Sequence, residues 1–235
     1  MSPGLNARDH TSFETGNVAG TAAILAATKA ARVPRFVHVS SLAARESGLS
    51  RYGASKARAE VLVKTADTPF AIIRPPAVYG PGDRETLELF KMAQRGLIAL
   101  PPAGRLSLLH ADDLAALLIA LGASDAADGL TVEPDDGHPG GYSHREFAAL
   151  LGRAVGRNAV AVPVPRAILH TAAALDGLIR RDGAKLTPDR VAYFCHPDWV
   201  ADPARAVPPD LWHPTIDTAE GFKQSADWYR AEGWL

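Results

Sequence analysis

The feature that most constrains the fold is an apolar run that leads into two serines and then, after a polar loop, into a helical pattern. The run covers residues 35–39 (RFVHV), and Ser40 and Ser41 follow it directly. Tyr52 and Lys56 are four residues apart, so on a helix they lie one turn apart on the same face. The pattern predicts a buried strand, a loop, and a helix that presents both side chains to one side.

Three polar side chains of this stretch predict proton transfer. The pKa of a free phenol is about 10, and a fixed ammonium one turn away favours the phenolate, so we expect Lys56 to lower the pKa of Tyr52. A tyrosine adjusted in this way exchanges a proton near neutral pH. Ser41, at the end of the strand, is placed to hydrogen-bond the same substrate oxygen. The set suits the movement of a proton on an alcohol or carbonyl group while a hydride leaves or joins the carbon.

A second motif, Arg74-Pro-Pro-Ala-Val-Tyr-Gly-Pro-Gly82, follows the next predicted strand. Together with Ser41 and Tyr52-x-x-x-Lys56 it resembles the extended short-chain dehydrogenase/reductase family, and within that family the NAD-dependent epimerase/dehydratase group. The resemblance extends from about residue 13 to the C-terminus. It implies an α/β, Rossmann-like fold with a doubly wound parallel sheet and a small α/β C-terminal substrate lobe.

The resemblance also implies an activity and a site. The activity is that of an NAD(P)-dependent oxidoreductase or epimerase that acts on a hydroxyl or carbonyl group by tyrosine-assisted hydride transfer. The catalytic residues that it implies are Ser41, Tyr52 and Lys56. NAD or NADP is the implied cofactor, and the implied contacts are Ser40, Tyr52, Lys56, Pro75, Pro76, Ala77 and Val78. No metal site is expected, since the only candidate cluster resembles the family's structural helix start: His110, Asp112 and Asp113.

The glycine-rich turn that holds the dinucleotide phosphates in this family has no counterpart in the sequence. Such a turn lies between a strand and a helix, where the backbone closely approaches the pyrophosphate. Gly16 and Gly20 instead lie within or beside a helical pattern. The other grouped glycines lie with prolines in a loop: Gly137, Gly140 and Gly141.

The predicted organisation follows from this gap. The helix that starts at Asn17 resembles the family helix after the fourth strand, so residues 1–133 are expected to form a partial, N-terminally truncated NAD(P)-binding domain. Residues 134–235 are expected to be mainly a substrate-binding lobe that interleaves with it. We expect the strand at residues 35–40 to be a sheet edge beside a half-open cleft, and the chain alone not to bind dinucleotide. A catalytically inactive family member that serves as a binding or assembly protein is the alternative.

Two departures from the family pattern narrow the substrate. Sugar dehydratases of the family have Asp-Glu after the active-site serine or threonine, whereas Leu42 and Ala43 cannot transfer protons, which argues against a dehydratase. Nucleotide-sugar enzymes commonly carry an arginine where this chain has Leu106, and Arg105 lies one residue away, on the opposite face of a strand. This argues against a nucleotide-sugar substrate. Arg84 and Arg205 are the two arginines that could take the place of this diphosphate-binding arginine.

Composition limits the partners and the location. The chain has 235 residues and a net charge of −1, so there is no electrostatic case for nucleic acid or an anionic membrane as a partner. Cys195 is the only cysteine, which excludes internal disulfides and fits a reducing cytosol. No apolar run approaches the ~20 residues that span a bilayer, and the N-terminus has no signal pattern. We expect a cytoplasmic protein with a small-molecule substrate.

Two helical regions bear on association. By resemblance, the helices at residues 17–32 and 52–66 pair with their copies in a homodimer. The first of them offers a small-residue face for close packing: Ala22, Ala26 and Ala30. The apolar segment at residues 166–180 has two interpretations, a core helix of the substrate lobe or an exposed patch for a partner or membrane surface. We expect the core helix.

Overall fold

The computed structural model describes residues 13–180 and 186–235. Strands and helices alternate along most of this length. The strands are β1 (Phe36–Val39), β2 (Phe70–Ile73), β3 (Ala77–Tyr79), β4 (Leu97–Leu100), β5 (Arg105–Leu106), β6 (Leu108–His110), β7 (Leu130–Val132), β8 (Tyr142–Ser143), β9 (Val160–Pro163) and β10 (Asp198–Trp199). The helices are α1 (Gly20–Ala30), α2 (Arg51–Lys64), α3 (Arg84–Gln94), α4 (Ala111–Ala123), α5 (His144–Ala154), α6 (Arg166–Arg180), α7 (Pro188–Phe194) and α8 (Thr218–Ala231). A π-helical turn, Glu14–Ala19, precedes α1. The described loops also contain three 3-10 turns: Leu42–Ala44, Asp125–Ala127 and Pro203–Arg205.

The main sheet is parallel, with the strand order β1-β2-β7. Successive residues of β1 point to opposite faces, and each face meets a different helix. Val37 packs with Leu117 and Leu121 of α4, whereas His38 lies close enough to Lys56 of α2 for its pKa to respond to that charge. Helices therefore cover both faces of a parallel sheet, and the predicted doubly wound α/β fold is confirmed.

Strand β1 forms one edge of this sheet. Within the described residues it pairs with β2 alone, and Val39 at its end keeps 38% of its surface exposed. The central strand β2 differs, because Ala71, Ile72 and Ile73 are completely buried, as expected for a parallel strand covered on both faces. The predicted sheet edge at residues 35–40 is confirmed.

The remaining strands form three small sheets around a second core. β4 pairs with β9 and β3 with β6, both parallel, while β5 lies between β10 and the antiparallel β8. The core between them is aromatic, and its centre is a contact between Phe90 of α3 and Phe222 of α8, whose ring centroids are 5.8 Å apart. Residues on both sides of position 133 therefore share one core. The domain boundary at that position stays a prediction.

Helix α6 is not a core helix, and that expectation is wrong. Ala173 is its one buried residue, and it packs with Val191 and Cys195 in a small cluster joined by Leu169. The larger apolar side chains of the helix are instead exposed, because the cluster contacts only one narrow side of it. They are Ile168, Leu175, Leu178 and Ile179, with 57%, 53%, 77% and 77% of their surface exposed. None of the helices in the described ranges is long and apolar enough to cross a membrane.

Candidate active site

The centre of the site is the turn at the carboxyl end of β1. Ser41 ends the extended backbone and caps the 3-10 turn Leu42–Ala44, with its Oγ accepting a hydrogen bond from the Ala43 amide at 3.2 Å. Helix α2 begins where Ser50 Oγ accepts from the amide of Gly53 at 3.0 Å. A side chain at Gly53 would overlap the main-chain oxygen of Ala43. The glycine therefore lets the first turn of α2 lie against the 3-10 turn.

This packing places Tyr52 and Lys56 beside Ser41. The Ser41 hydroxyl lies close enough to the Tyr52 phenol to act on its pKa, which it lowers. Lys56 is buried, its Nζ lies 5.9 Å from the centroid of the Tyr52 ring, and it donates a hydrogen bond to the main-chain oxygen of Val39 at 3.0 Å. The ring of Phe13 packs on Tyr52, with centroids 5.8 Å apart. The three side chains that were predicted to act together therefore do lie together.

The acidity of Tyr52 differs from the expectation. Burial raises the pKa of Tyr52, and the neighbouring Ser41 hydroxyl only partly offsets that rise. Burial also lowers the pKa of Lys56. The predicted lowering of the Tyr52 pKa is wrong, because Lys56 lies over the ring and binds the Val39 carbonyl, while the phenol itself is desolvated.

A network of ion pairs and hydrogen bonds lies next to the site. Ser40 Oγ donates to Glu60 Oε1 at 2.6 Å, and Arg74 donates to both carboxylate oxygens of Glu60 at 2.8 Å. Arg74 also reaches Glu133 at 3.2 Å, and Arg45 reaches the other oxygen of Glu133 at 3.3 Å. Although burial opposes it, hydrogen bonding to Arg74 and Ser40 holds the pKa of Glu60 below its usual value. The network connects α2 to the ends of β1, β2 and β7.

His38 is a second buried polar group beside this network. Burial, reinforced by the charge of Lys56, lowers the pKa of His38 to about 4. Its Nε2 is buried without a hydrogen-bond partner among the described residues. The ring is therefore neutral at pH 7, which is consistent with its position in a parallel sheet covered by helices.

Ser40, Ser41, Tyr52 and Lys56 border one large cavity of about 1090 Å³. Its wall includes every residue predicted for the catalytic and cofactor contacts: Ser40, Ser41, Tyr52, Lys56, Pro75, Pro76, Ala77 and Val78. The cavity opens at the carboxyl ends of β1 and β2, the position where open α/β sheets bind their ligands. The structure therefore brings the predicted residues together, and their individual roles stay predictions.

The rest of the wall is mainly apolar and aromatic, and sequence reasoning missed it. The residues that contribute include Leu100, Leu106, Phe147, Val164, Leu169 and Trp199. Tyr193 of α7 also lines the cavity; burial raises its pKa, and the neighbouring Tyr52 and Glu85 raise it further. No motif surrounds Tyr193 in the sequence, and α7 is a short helix far along the chain from α2. Only the fold places Tyr193 near Tyr52.

The residues that bear on a sugar substrate include both cavity-lining and distant positions. Leu42 and Ala43 are buried, and Leu106 lines the cavity. Arg105 points elsewhere, since its guanidinium donates to the main-chain oxygens of Gly140 and Gly141. The two arginines considered as substitutes do not line the cavity. Arg84 stacks on Trp234, 4.8 Å from the ring centroid, and Arg205 lies 3.9 Å from Glu133.

The candidate metal cluster has a structural explanation. His110 caps α4, with its Nδ1 accepting from the Asp112 amide at 3.2 Å, and Asp113 accepts hydrogen bonds from Thr215 and Ile216. In the described part of the chain, no group of three or more His, Cys, Asp or Glu side chains is arranged to hold a metal ion. These residues join α4 to the segment that precedes α8.

Comparison with known proteins identifies a family profile and a relative. The profile of the NAD dependent epimerase/dehydratase family matches residues 2–131. The ceramide reductase of Caulobacter vibrioides (strain NA1000 / CB15N) is 36% identical over 241 residues, and the match covers 98% of this chain and 73% of that protein.

Solved structures with the same fold include two epimerases. The epimerase of Methanothermobacter thermautotrophicus superposes with a TM-score of 0.68 at 18% identity, over 100% of this chain and 70% of that chain. The UDP-glucuronic acid 4-epimerase of Bacillus cereus, solved in complex with NAD, gives a TM-score of 0.67 at 18% identity, over 99% and 72% of the two chains. At this identity the likeness concerns the fold.

Proposed function

Because the chain belongs to the NAD-dependent epimerase/dehydratase family, we propose that it is an NAD(P)-dependent reductase that converts a carbonyl group of a long-chain lipid into a hydroxyl group. One observation carries the proposal: Ser41, Tyr52 and Lys56 border the same cavity as a predominantly apolar and aromatic wall. The name of the relative, ceramide reductase, supports a lipid with long hydrocarbon chains as the substrate class.

Tyr52 is the proton donor in this proposal. Its raised pKa keeps the phenol protonated at neutral pH, which is the form needed to deliver a proton to a carbonyl oxygen as that oxygen gains negative charge. Ser41, which borders the cavity beside Tyr52, holds the same oxygen in place. The protonated phenol is the form that suits reduction of a carbonyl group at neutral pH.

The family's cofactor would supply the hydride in its reduced form, NADH, when bound. The residues present fit its nicotinamide end, because Tyr52, Lys56 and the loop 75–78 border the cavity at the carboxyl ends of β1 and β2. The ammonium of Lys56 would hold the ribose hydroxyls, and the prolines would lie against the ring. In this role Lys56 binds and positions, and Tyr52 moves the proton.

The apolar wall accounts for the choice of a lipid. Each methylene group moved from water to such a surface contributes about 0.8 kcal/mol to binding. A nucleotide sugar would bring a diphosphate, which needs cations or main-chain amides at the wall. Leu106, Phe147 and Leu100 provide neither, and the arginine of the described wall, Arg190, lies over the ring of Phe194 at 5.3 Å from its centroid. The cavity therefore fits hydrocarbon chains better than a diphosphate.

The test is a comparison of substrates on the chain joined to a glycine-rich βαβ segment of the family, because the chain alone is predicted not to bind dinucleotide. Oxidation of NADH and NADPH is followed with long-chain lipid ketones, with short-chain analogues, and with UDP-glucuronic acid. We expect turnover with the long-chain ketones that declines as the chains are shortened, and none with the nucleotide sugar. Turnover of the nucleotide sugar without turnover of the ketones would contradict the proposal.

A second function, lipid binding without catalysis, is favoured by one observation. The sequence lacks a glycine-rich turn between a strand and a helix, and we predict from this that the chain alone does not bind dinucleotide. Titration of NADH and NADPH against the chain separates the two functions. Micromolar affinity for either supports the reductase, whereas retained binding of a fluorescent long-chain lipid without dinucleotide binding supports the second function.

A further inference from the structure

We propose that the exposed apolar face of α6 docks the protein on the surface of an anionic lipid bilayer, from which the lipid substrate enters the cavity. The substrate class in this statement rests on the proposed function; the docking itself is a separate property of α6. The outer face of α6 is defined here by Ile168, Ala172, Leu175, Leu178 and Ile179.

The spacing of these residues makes α6 an amphipathic helix. Ile168, Ala172, Leu175 and Ile179 recur at intervals of four, three and four residues, so they form one stripe along the helix. The stripe lies away from Ala173, the one buried residue of α6. An apolar stripe of this length is normally buried against a core. Here it faces solvent, with Leu178 and Ile179 each 77% exposed.

The charge around the stripe suits anionic headgroups. The described residues of 166–190 include three arginines and two aspartates, a net charge of +1, in a chain whose overall net charge is −1. Arg166 and Arg180 mark the two ends of α6; Arg166 donates a hydrogen bond to the main-chain oxygen of Cys195, and the guanidinium of Arg180 lies 3.3 Å from the carboxylate of Asp176. An amphipathic helix with basic ends and exposed leucine and isoleucine is typical of a helix that lies in the bilayer interface.

The position of α6 connects this surface to the cavity. Leu169, one residue from the start of the stripe, lines the cavity wall, and so do Leu186 and Val191 beyond the helix. The helix therefore lies between the cavity and the solvent, with one side on each. A lipid that leaves the bilayer at this helix reaches an apolar wall without exposing its chains to water.

Vesicle co-sedimentation tests the proposal without substrate or cofactor. The wild-type chain is mixed with vesicles of phosphatidylcholine alone and of phosphatidylcholine with phosphatidylglycerol. The double variant Leu175→Gln/Ile179→Gln removes the outer apolar side chains and leaves the cavity wall unchanged. The matched control is Ile119→Gln, which changes an isoleucine of α4 that is 74% exposed.

We expect the wild type and Ile119→Gln to bind the anionic vesicles alike, and the double variant to lose binding by ~10-fold or more. Circular dichroism and turnover of a short-chain ketone should be the same for all three. Equal binding by the wild type and the double variant, or no wild-type binding, would overturn the proposal. Loss of a dimer in the double variant, seen by light scattering, would also overturn it and assign the face to a second copy. Failure of the reductase assay alone leaves the vesicle result intact.

Discussion

The Nζ of Lys56 donates a hydrogen bond to the main-chain oxygen of Val39, at 3.0 Å, and so connects helix α2 to the last residue of the edge strand β1. The bond fixes the ammonium at the carboxyl edge of the sheet, over the ring of Tyr52. It also satisfies a carbonyl at the point where β1 ends. One interaction thus contributes to the stability of the edge strand and to the geometry of the site.

Replacement of Lys56 should affect both the stability of the fold and the activity of the site. We expect Lys56→Met to lower the free energy of unfolding by ~1–2 kcal/mol, because the Val39 oxygen loses a charge-assisted partner. Turnover should fall by ~10-fold or more, with weaker binding of NADH. Chemical denaturation and steady-state kinetics measure the two effects, and Lys91→Met on α3 is the control for loss of a lysine. An unchanged turnover would remove Lys56 from the site.

Tyr52 is predicted to donate the proton. Tyr52→Phe retains the ring that packs on Phe13 and removes only the phenol hydroxyl. Turnover of the long-chain ketone should fall by ~10²-fold or more, while binding of a fluorescent lipid stays near the wild-type value. Near-normal turnover would exclude Tyr52 as the acid.

The neutral, buried His38 predicts a pH dependence of stability. Its pKa of about 4 in the folded chain lies below the ordinary value of 6.5, so folding opposes protonation while the unfolded chain takes up the proton. Stability from this group is complete above pH 6.5 and falls as the pH drops toward 4, by up to ~3 kcal/mol. Lys56 and Glu60 are the charged groups that bear on it.

Denaturation across pH 4–7 measures this dependence, and NMR titration of the His38 ring reports its pKa directly. The variant His38→Leu should lose most of the slope between pH 6.5 and 4, whereas His213→Leu, at an exposed position, should keep it. A His38 pKa near 6.5 would contradict the prediction.

Gly53 is predicted to be irreplaceable in the first turn of α2. In Gly53→Ala the new methyl group would overlap the main-chain oxygen of Ala43. We expect a loss of ~1–3 kcal/mol in the free energy of unfolding and a fall in turnover, because Tyr52 moves with the turn. Gly48→Ala is the matched control, since nothing lies within 4 Å of its added carbon. Equal stability of the two variants would show that the contact is easily relieved.

Dimerisation through α1 and α2 is the remaining prediction. Ala22, Ala26 and Ala30 are exposed along α1, and Ile24 on α1 and Val61 on α2 keep 56% and 59% of their surface exposed. Light scattering at micromolar concentration should give twice the chain mass, and Val61→Lys should reduce it to the monomer. A monomeric wild-type chain would contradict the prediction.

The sequence by itself determined the local features of this protein. The four-residue spacing of Tyr52 and Lys56 depends only on helical geometry, and the apolar run before Ser40 was enough to predict a strand. The predicted burial of that strand is wrong, because β1 lies at a sheet edge and His38 is its one buried residue. These features, with the motif at residues 74–82, were enough to identify the family and to name eight residues that border one cavity.

The tertiary structure alone decided the environment of those residues. The pKa of Tyr52 depends on how much water the folded chain removes from the phenol, and a spacing carries no information about that. The sequence likewise carried no information about the exposure of α6, whose composition suits a core. It also did not indicate that Tyr193, far along the chain, lies near Tyr52. Burial and contact between distant segments are properties of the packed chain, and they set the acidity of the site, its apolar wall and its exposed helix.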